Sequence, residues 1–116
     1  MQNFCTLKKS SDFKTIQLKG SEIKTKFLVV KFYPKEKINK NTQASKLPLL
    51  GITVSRKMGK AVKRNLIRRR IKSIFSYYSH NYQIDDMAFS FYSKKSIMYA
   101  SFKELKKDVD KILKSV

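Results

Sequence analysis

Apolar and polar positions along this chain follow two different periods. At residues 27–33 the run Phe-Leu-Val-Val-Lys-Phe-Tyr is dense in β-branched and aromatic side chains, a strand pattern that Pro34 ends. Phe27, Val29, Lys31 and Tyr33 share one face of it and Leu28, Val30 and Phe32 the other; Lys31 marks its own face as the wetter one. A second strand is predicted over 47–55, with Pro48 near its start, where a missing donor is tolerated. There Leu50, Ile52 and Val54 alternate with Gly51, Thr53 and Ser55, and the small, polar second set suits close approach by a ligand. Residues 87–93 alternate again, and 21–26 read as a brief edge strand.

Three stretches keep the helical period instead. Residues 11–18 place Phe13 and Ile16 on one face, with Ser10 or Ser11 as cap, Asp12 in the first turn and Leu18 reaching the core near the end. Gly20 is the predicted terminator, through its tolerance of left-handed backbone angles. Residues 60–78 carry a buried stripe of Ile67, Ile71, Ile74, Phe75 and Tyr78. Residues 101–115 carry Phe102, Leu105, Val109, Ile112 and Leu113 on one side and mix Lys with Glu104, Asp108 and Asp110 on the other, as a packing helix does. Between these elements, 34–46 is polar and aperiodic and reads as a mobile hairpin connection, and 79–86 is a linker. The order of helix, two or three strands, helix, strand and helix predicts an α+β fold, a two-layer α/β sandwich with one sheet face packed by helices and the other partly open. If the strands joined by the second helix are parallel neighbours, the general hand rule expects a right-handed crossover.

Charge changes the picture most. The 116 residues, read as one domain spanning 1–116, carry 27 Lys and Arg against 8 Asp and Glu, a formal net charge of +19. With 41% hydrophobic residues this is a folded domain rather than a basic tail, and its excess charge calls for a polyanionic partner: RNA, DNA, an anionic membrane or an acidic protein. The charge is concentrated. Nine Lys or Arg and no acid fall between Arg56 and Lys72, in a segment that opens as a strand, turns at Met58-Gly59 and continues as a helix. Lys63 and Arg64 sit near that helix's N-terminus, where the dipole disfavours cations unless an anion arrives at the same place. Arg side chains can clamp phosphates bidentately, Lys residues act as point charges, and Asn65 can donate and accept toward a base, a sugar hydroxyl or a phosphate. A helix-turn-helix reading is weaker because a strand precedes the basic helix; a membrane-surface helix is weaker because the core needs its apolar stripe.

Catalytic chemistry is hard to build from this sequence. No acid lies between Lys37 and Ile84, so no carboxylate pair is placed for acid–base work. One His and one Cys make no metal cluster, and no phosphate-binding glycine loop is present. His80 reads as a surface linker residue and Asp85-Asp86 as a turn. The lone Cys5, the lack of a secretion-signal pattern and the lack of a membrane-length apolar run point to a cytoplasmic protein. Tyr33 and Phe27 are candidates for stacking on single-stranded nucleotides, and Phe13 is either core or cleft wall.

The run Gly51-Ile-Thr-Val-Ser-Arg-Lys-Met-Gly followed by Lys60-Ala-Val-Lys-Arg-Asn-Leu-Ile-Arg-Arg resembles the protein subunit of bacterial ribonuclease P. That family's signature is a Val-Ser-Lys-Lys-like strand end, a Gly, then Ala-Val-x-Arg-Asn and further basic residues. Asp12-Phe13, Gly20, the aromatic strand and the terminal amphipathic helix extend the likeness over most of the chain. The resemblance implies a four-stranded sheet with a left-handed crossover through the basic helix. It implies an endoribonuclease holoenzyme in which a catalytic RNA, with Mg²⁺ held mainly by RNA and no organic cofactor, removes the 5′ leader of precursor tRNA. It also implies contact with the catalytic RNA through the basic strand–helix segment, and a cleft between the first helix and the sheet that grips the single-stranded leader.

Carried over by position, Arg56 and Lys57 match the basic pair after Val-Ser, Arg64 and Asn65 the Arg-Asn pair, and Arg68 and Arg69 the pair that follows. Lys60, Lys63 and Lys72 add charge to this RNA-binding set. Lys60 stands where Asn often follows Gly, and Leu66 where the family commonly has Arg, with Arg70 as the candidate replacement. Phe13 matches the first-helix aromatic of the leader cleft, whose other candidates are Gln17, Phe27, Val29, Lys31, Tyr33 and Thr53. Gln17 occupies a position often aromatic, and Val30 or Lys31 one often Tyr. Two other classes stay open: a ribosome-associated or general RNA-binding module, and a DNA-binding protein.

Overall fold

A computed structural model describes residues 3–38 and 46–116. Five strands form one mixed sheet in the order β1-β4-β5-β3-β2: β1 (Cys5–Thr6), β2 (Ser21–Lys24), β3 (Leu28–Pro34), β4 (Leu49–Thr53) and β5 (Met87–Ser93). β2, β3 and β5 pair antiparallel; β4 runs parallel to both β5 and β1. The sheet therefore has one strand more than the expected four. The addition, β1, is two residues long, too short to leave a periodic trace, and exists by pairing with Leu49 and Leu50. The segment between Pro34 and Leu49 begins with a 3₁₀ turn at Lys35–Lys37; the rest of the expected mobile connection, at 39–45, lies outside the described residues.

Three helices pack this sheet from both sides. α2 (Ala61–Ser79) and α3 (Phe102–Lys114) cover the face formed by Leu28, Val30, Leu50, Phe89 and Phe91, and Phe75 meets Phe4, Phe89 and Phe91 edge-on. Aromatic edge-to-face contacts of this kind add to the area they bury. α1 (Ser10–Lys19) lies on the opposite face, where Ile16 and Phe13 join Leu7, Leu49, Ala88 and Tyr33 in a smaller core. The expected two layers become a sheet covered fully on one face and partly on the other. The parity of each strand sends alternate residues to the two cores, and both halves of the alternation are apolar enough to use.

Local details depart from the expectation at α1. Its N-cap is Lys9, with no side-chain cap bond, instead of Ser10 or Ser11. Gly20 is extended at φ −75°, not left-handed; what requires glycine is space, because a Cβ would stand 2.4 Å from the Ile16 carbonyl oxygen and 2.8 Å from that of Phe32. Leu18 is 83% exposed, since the short helix turns Asp12, Phe13 and Ile16 inward instead. No described helix is long and apolar enough to cross a membrane.

Candidate nucleic-acid interface

The basic segment begins where β4 ends. Ser55 caps a 3₁₀ turn at Arg56–Met58 by accepting a bond from the Lys57 amide at 3.2 Å, and buried Met58 anchors that turn to the main core. Gly59 then takes φ +117°, a backbone angle open mainly to glycine, and turns the chain into α2. α2 starts without a side-chain cap and without an acid in its first turn. Its first amides are left for an outside acceptor, while Lys60, Lys63 and Arg64 crowd the positive end of its dipole.

The structure brings the predicted RNA-binding residues together on this turn and helix. Arg56, Lys57, Lys60, Lys63, Asn65 and Arg69 are exposed, and Arg64, Arg68, Arg70 and Lys72 are half-buried along the flank of the Ile67–Ile71–Ile74 stripe. Among the described residues the ion pairs join Lys24 and Lys31 to Glu22 and Lys26 to Glu104, so none neutralises the segment. Arg68 Nη1 donates to Asn65 Oδ1 at 3.3 Å, which uses the Asn65 carbonyl and turns its amide group over to donation. Arg64 Nε is shut off from water with no acceptor. A buried donor left so is costly.

The opposite sheet face carries most of the candidate leader-cleft residues. Cross-strand register lays its residues in rows: Leu49–Ala88–Tyr33, then Gly51–Ser90–Lys31–Glu22, then Thr53–Tyr92–Val29–Lys24. α1 lies over the first two rows. The Phe13 ring sits against Gly51, where an added Cβ would come within 2.4 Å of it, and Lys31 Nζ donates to the Gln17 carbonyl at 3.0 Å. The smallness of Gly51 thus admits a ring of this same chain, not a ligand as expected, and Phe13 is at once core and wall. The third row is left open beside α1: Thr53 is exposed, and Val29 and Tyr92 are half-buried.

Of the candidate cleft residues, Phe13, Gln17, Val29, Lys31 and Thr53 are gathered around this opening. Two are not. Phe27 precedes the first residue of β3, so the alternation does not govern it; it is 4% exposed in the main core. Tyr33 is four residues along β3 from Val29, about 13 Å at strand rise, and packs in the smaller core with Lys37 Nζ 5.8 Å from its ring centre. Sequence reasoning passed over Tyr92. Its parity with Ala88 and Ser90 was the available signal, but only the pairing with Thr53 and Val29 places it.

Among the described residues no group of three or more His, Cys, Asp or Glu could hold a metal ion. The donors along the basic segment are cationic and unsuited to Mg²⁺, which takes oxygen ligands. Displaced pKa values belong to the scaffold: a hydrogen bond to Asp110 raises that of Tyr82, and bonds from the Ser101 amide and hydroxyl region lower that of Glu104.

The family model described as Ribonuclease P matches residues 1–116. A "Ribonuclease P protein component" of Clostridioides difficile is 35% identical over 111 residues, 95% of this chain and 86% of the relative. One from Carboxydothermus hydrogenoformans is 41% identical over 66 residues, a match spanning 57% of this chain and about half (52%) of the relative. Among solved structures, the RNase P protein of Staphylococcus aureus superposes with a TM-score of 0.76 at 28% identity, covering 94% of this chain and 92% of the other. That of Thermotoga maritima gives 0.80 over 96% of both chains; at 23% identity it speaks for the fold alone.

Proposed function

The chain belongs to the Ribonuclease P protein family, and we propose how its surfaces serve that membership. It is the protein subunit of a ribonucleoprotein endoribonuclease that removes the 5′ leader of precursor tRNA together with an RNA subunit. That decides among the three classes left open by the sequence. The whole of 1–116 acts as one RNA-binding domain, in the cytoplasm. The turn at Arg56–Met58 and the exposed side of α2 lie against phosphates of the catalytic RNA. The carrying observation is that these cations, exposed at Arg56, Lys57, Lys60, Lys63 and Arg69 and half-buried at Arg64, Arg68, Arg70 and Lys72, pair with no described carboxylate. The opening between α1 and the row Thr53–Tyr92–Val29 holds the single-stranded leader. Thr53 is three residues from Arg56, at most about 11 Å of extended chain, so the leader and the catalytic RNA meet the protein on adjoining surfaces.

Neutralised phosphates repel a second polyanion less, which favours docking of the precursor. Mg²⁺ supplies Lewis-acid and nucleophile chemistry at the scissile phosphate, and its ligands are assigned to the RNA. We also assign the β4–α2–β5 connection the left-handed sense that the family likeness implies. The test is the double substitution Arg64→Ala, Arg68→Ala. Affinity for the catalytic RNA should fall, and the slope of log affinity against log salt should flatten by about 2. An unchanged affinity and slope would remove the basic face from the interface.

A further inference from the structure

A second open groove, about 650 Å³, follows the C-terminal half of α2 on the sheet face away from α1. Arg69, Lys72, Tyr77 and His80 line it from the helix at spacings of three to five residues, and Asn3 and Phe4 form its far wall. That wall is fixed: the Asn3 amide donates to Ser76 Oγ at 3.0 Å and its side chain to the Ser76 carbonyl at 2.8 Å. Tyr77 is 61% exposed, yet it is held in place by an edge contact with Tyr78 at 5.0 Å and by Lys106 Nζ at 5.4 Å from its ring centre.

We propose that this groove binds a single-stranded segment of the catalytic RNA, with one base stacked on Tyr77 and the adjoining phosphates on Lys72 and Arg69. The inference deepens the assignment of the basic face and rests on it. A large aromatic fixed in water beside two cations is what base stacking with backbone neutralisation requires. Arg69 and Lys72 with no acid in the lining favour an anionic strand over a neutral peptide. Charge also sets the direction of the strand: beyond His80 the next hollow is lined by Asp85 and Asp86, which repel phosphate, so the backbone runs from Tyr77 toward Arg69.

The experiment compares Tyr77→Leu, Tyr77→Phe and the Arg64→Ala, Arg68→Ala protein for binding to the catalytic RNA over a salt series, with melting temperatures measured alongside. Tyr77→Leu should lose roughly fivefold to a hundredfold in affinity with its salt slope intact, and Tyr77→Phe should restore it. A photo-crosslinking side chain at position 77 should capture RNA. Wild-type affinity for Tyr77→Leu, a loss shared by Tyr77→Phe, or capture of protein alone would overturn the groove. If Tyr77→Leu binds normally while the arginine variant is weakened, the groove alone fails; if the arginine variant also binds normally, the basic-face assignment fails with it.

Discussion

Gly51 decides where Phe13 sits. Its missing side chain is the space the ring occupies, with Leu7 Cδ2 also only 3.1 Å from where a Cβ would stand. The atoms that would have to give way are the far end of the Phe13 ring and the Leu7 side chain. Gly51→Ala should therefore cost about 1–3 kcal/mol of stability, the usual range for overpacking, read as a lowered unfolding midpoint. It should also swing Phe13 into the cleft. Binding of leader-bearing precursor should fall toward that of leaderless tRNA, while affinity for the catalytic RNA persists. Equal losses for both substrates would separate Phe13 from the leader. Arg64 shows a different residue-level feature: its Nε is enclosed with no acceptor, a cost carried within the fold.

At the scale of elements, α3 is the best specified. Ser101 accepts from the Glu104 amide at 3.1 Å and Glu104 accepts from the Ser101 amide at 3.1 Å, a reciprocal cap. Asp108 then ties α3 to the β2–β3 turn through Thr25 Oγ1 at 2.5 Å and the Phe27 amide at 3.2 Å. Ser101→Ala should destabilise by about 1 kcal/mol near neutral pH. Glu104 has a folded pKa below its unfolded value, so its contribution is present above the unfolded pKa and lost as pH falls through the folded one. The gap in melting temperature between wild type and a Glu104→Gln protein should therefore narrow across that acidic window, because the Ser101 amide that holds the carboxylate is present in both; a constant gap would deny the charged carboxylate its part in the cap.

The same elements show what the sequence could convey. β3, β4, β5, α2 and α3 were legible because strict periods of two or 3.6 run through them, and the basic face because its charge is unmixed. β1 was not, since two residues have no period. Neither was the division of cleft residues: Phe27 and Tyr33 share parity with Val29, but strand start and row position, which depend on pairing, put them elsewhere.

For the whole molecule, charge and compactness coexist because they are segregated. The radius of gyration, 13.3 Å, is close to the ~13 Å of a compact fold of about 100 residues despite a net charge of +19. Repulsion is borne at the surface, where salt can screen it. Two opposite salt responses should follow in one protein: the free chain melts higher as salt rises from low concentration, while its hold on RNA weakens over the same range. A melting temperature that falls along with affinity would mean that surface repulsion is not the dominant electrostatic cost.

The anchoring of Asn3 on Ser76 has a practical side. Whatever is joined ahead of residue 3 sets out from the rim of the α2 groove, whereas Val116 lies exposed just past the end of α3. A purification handle fused to the front of the chain would thus start beside that groove, and a poly-acidic one would compete there with nucleic acid.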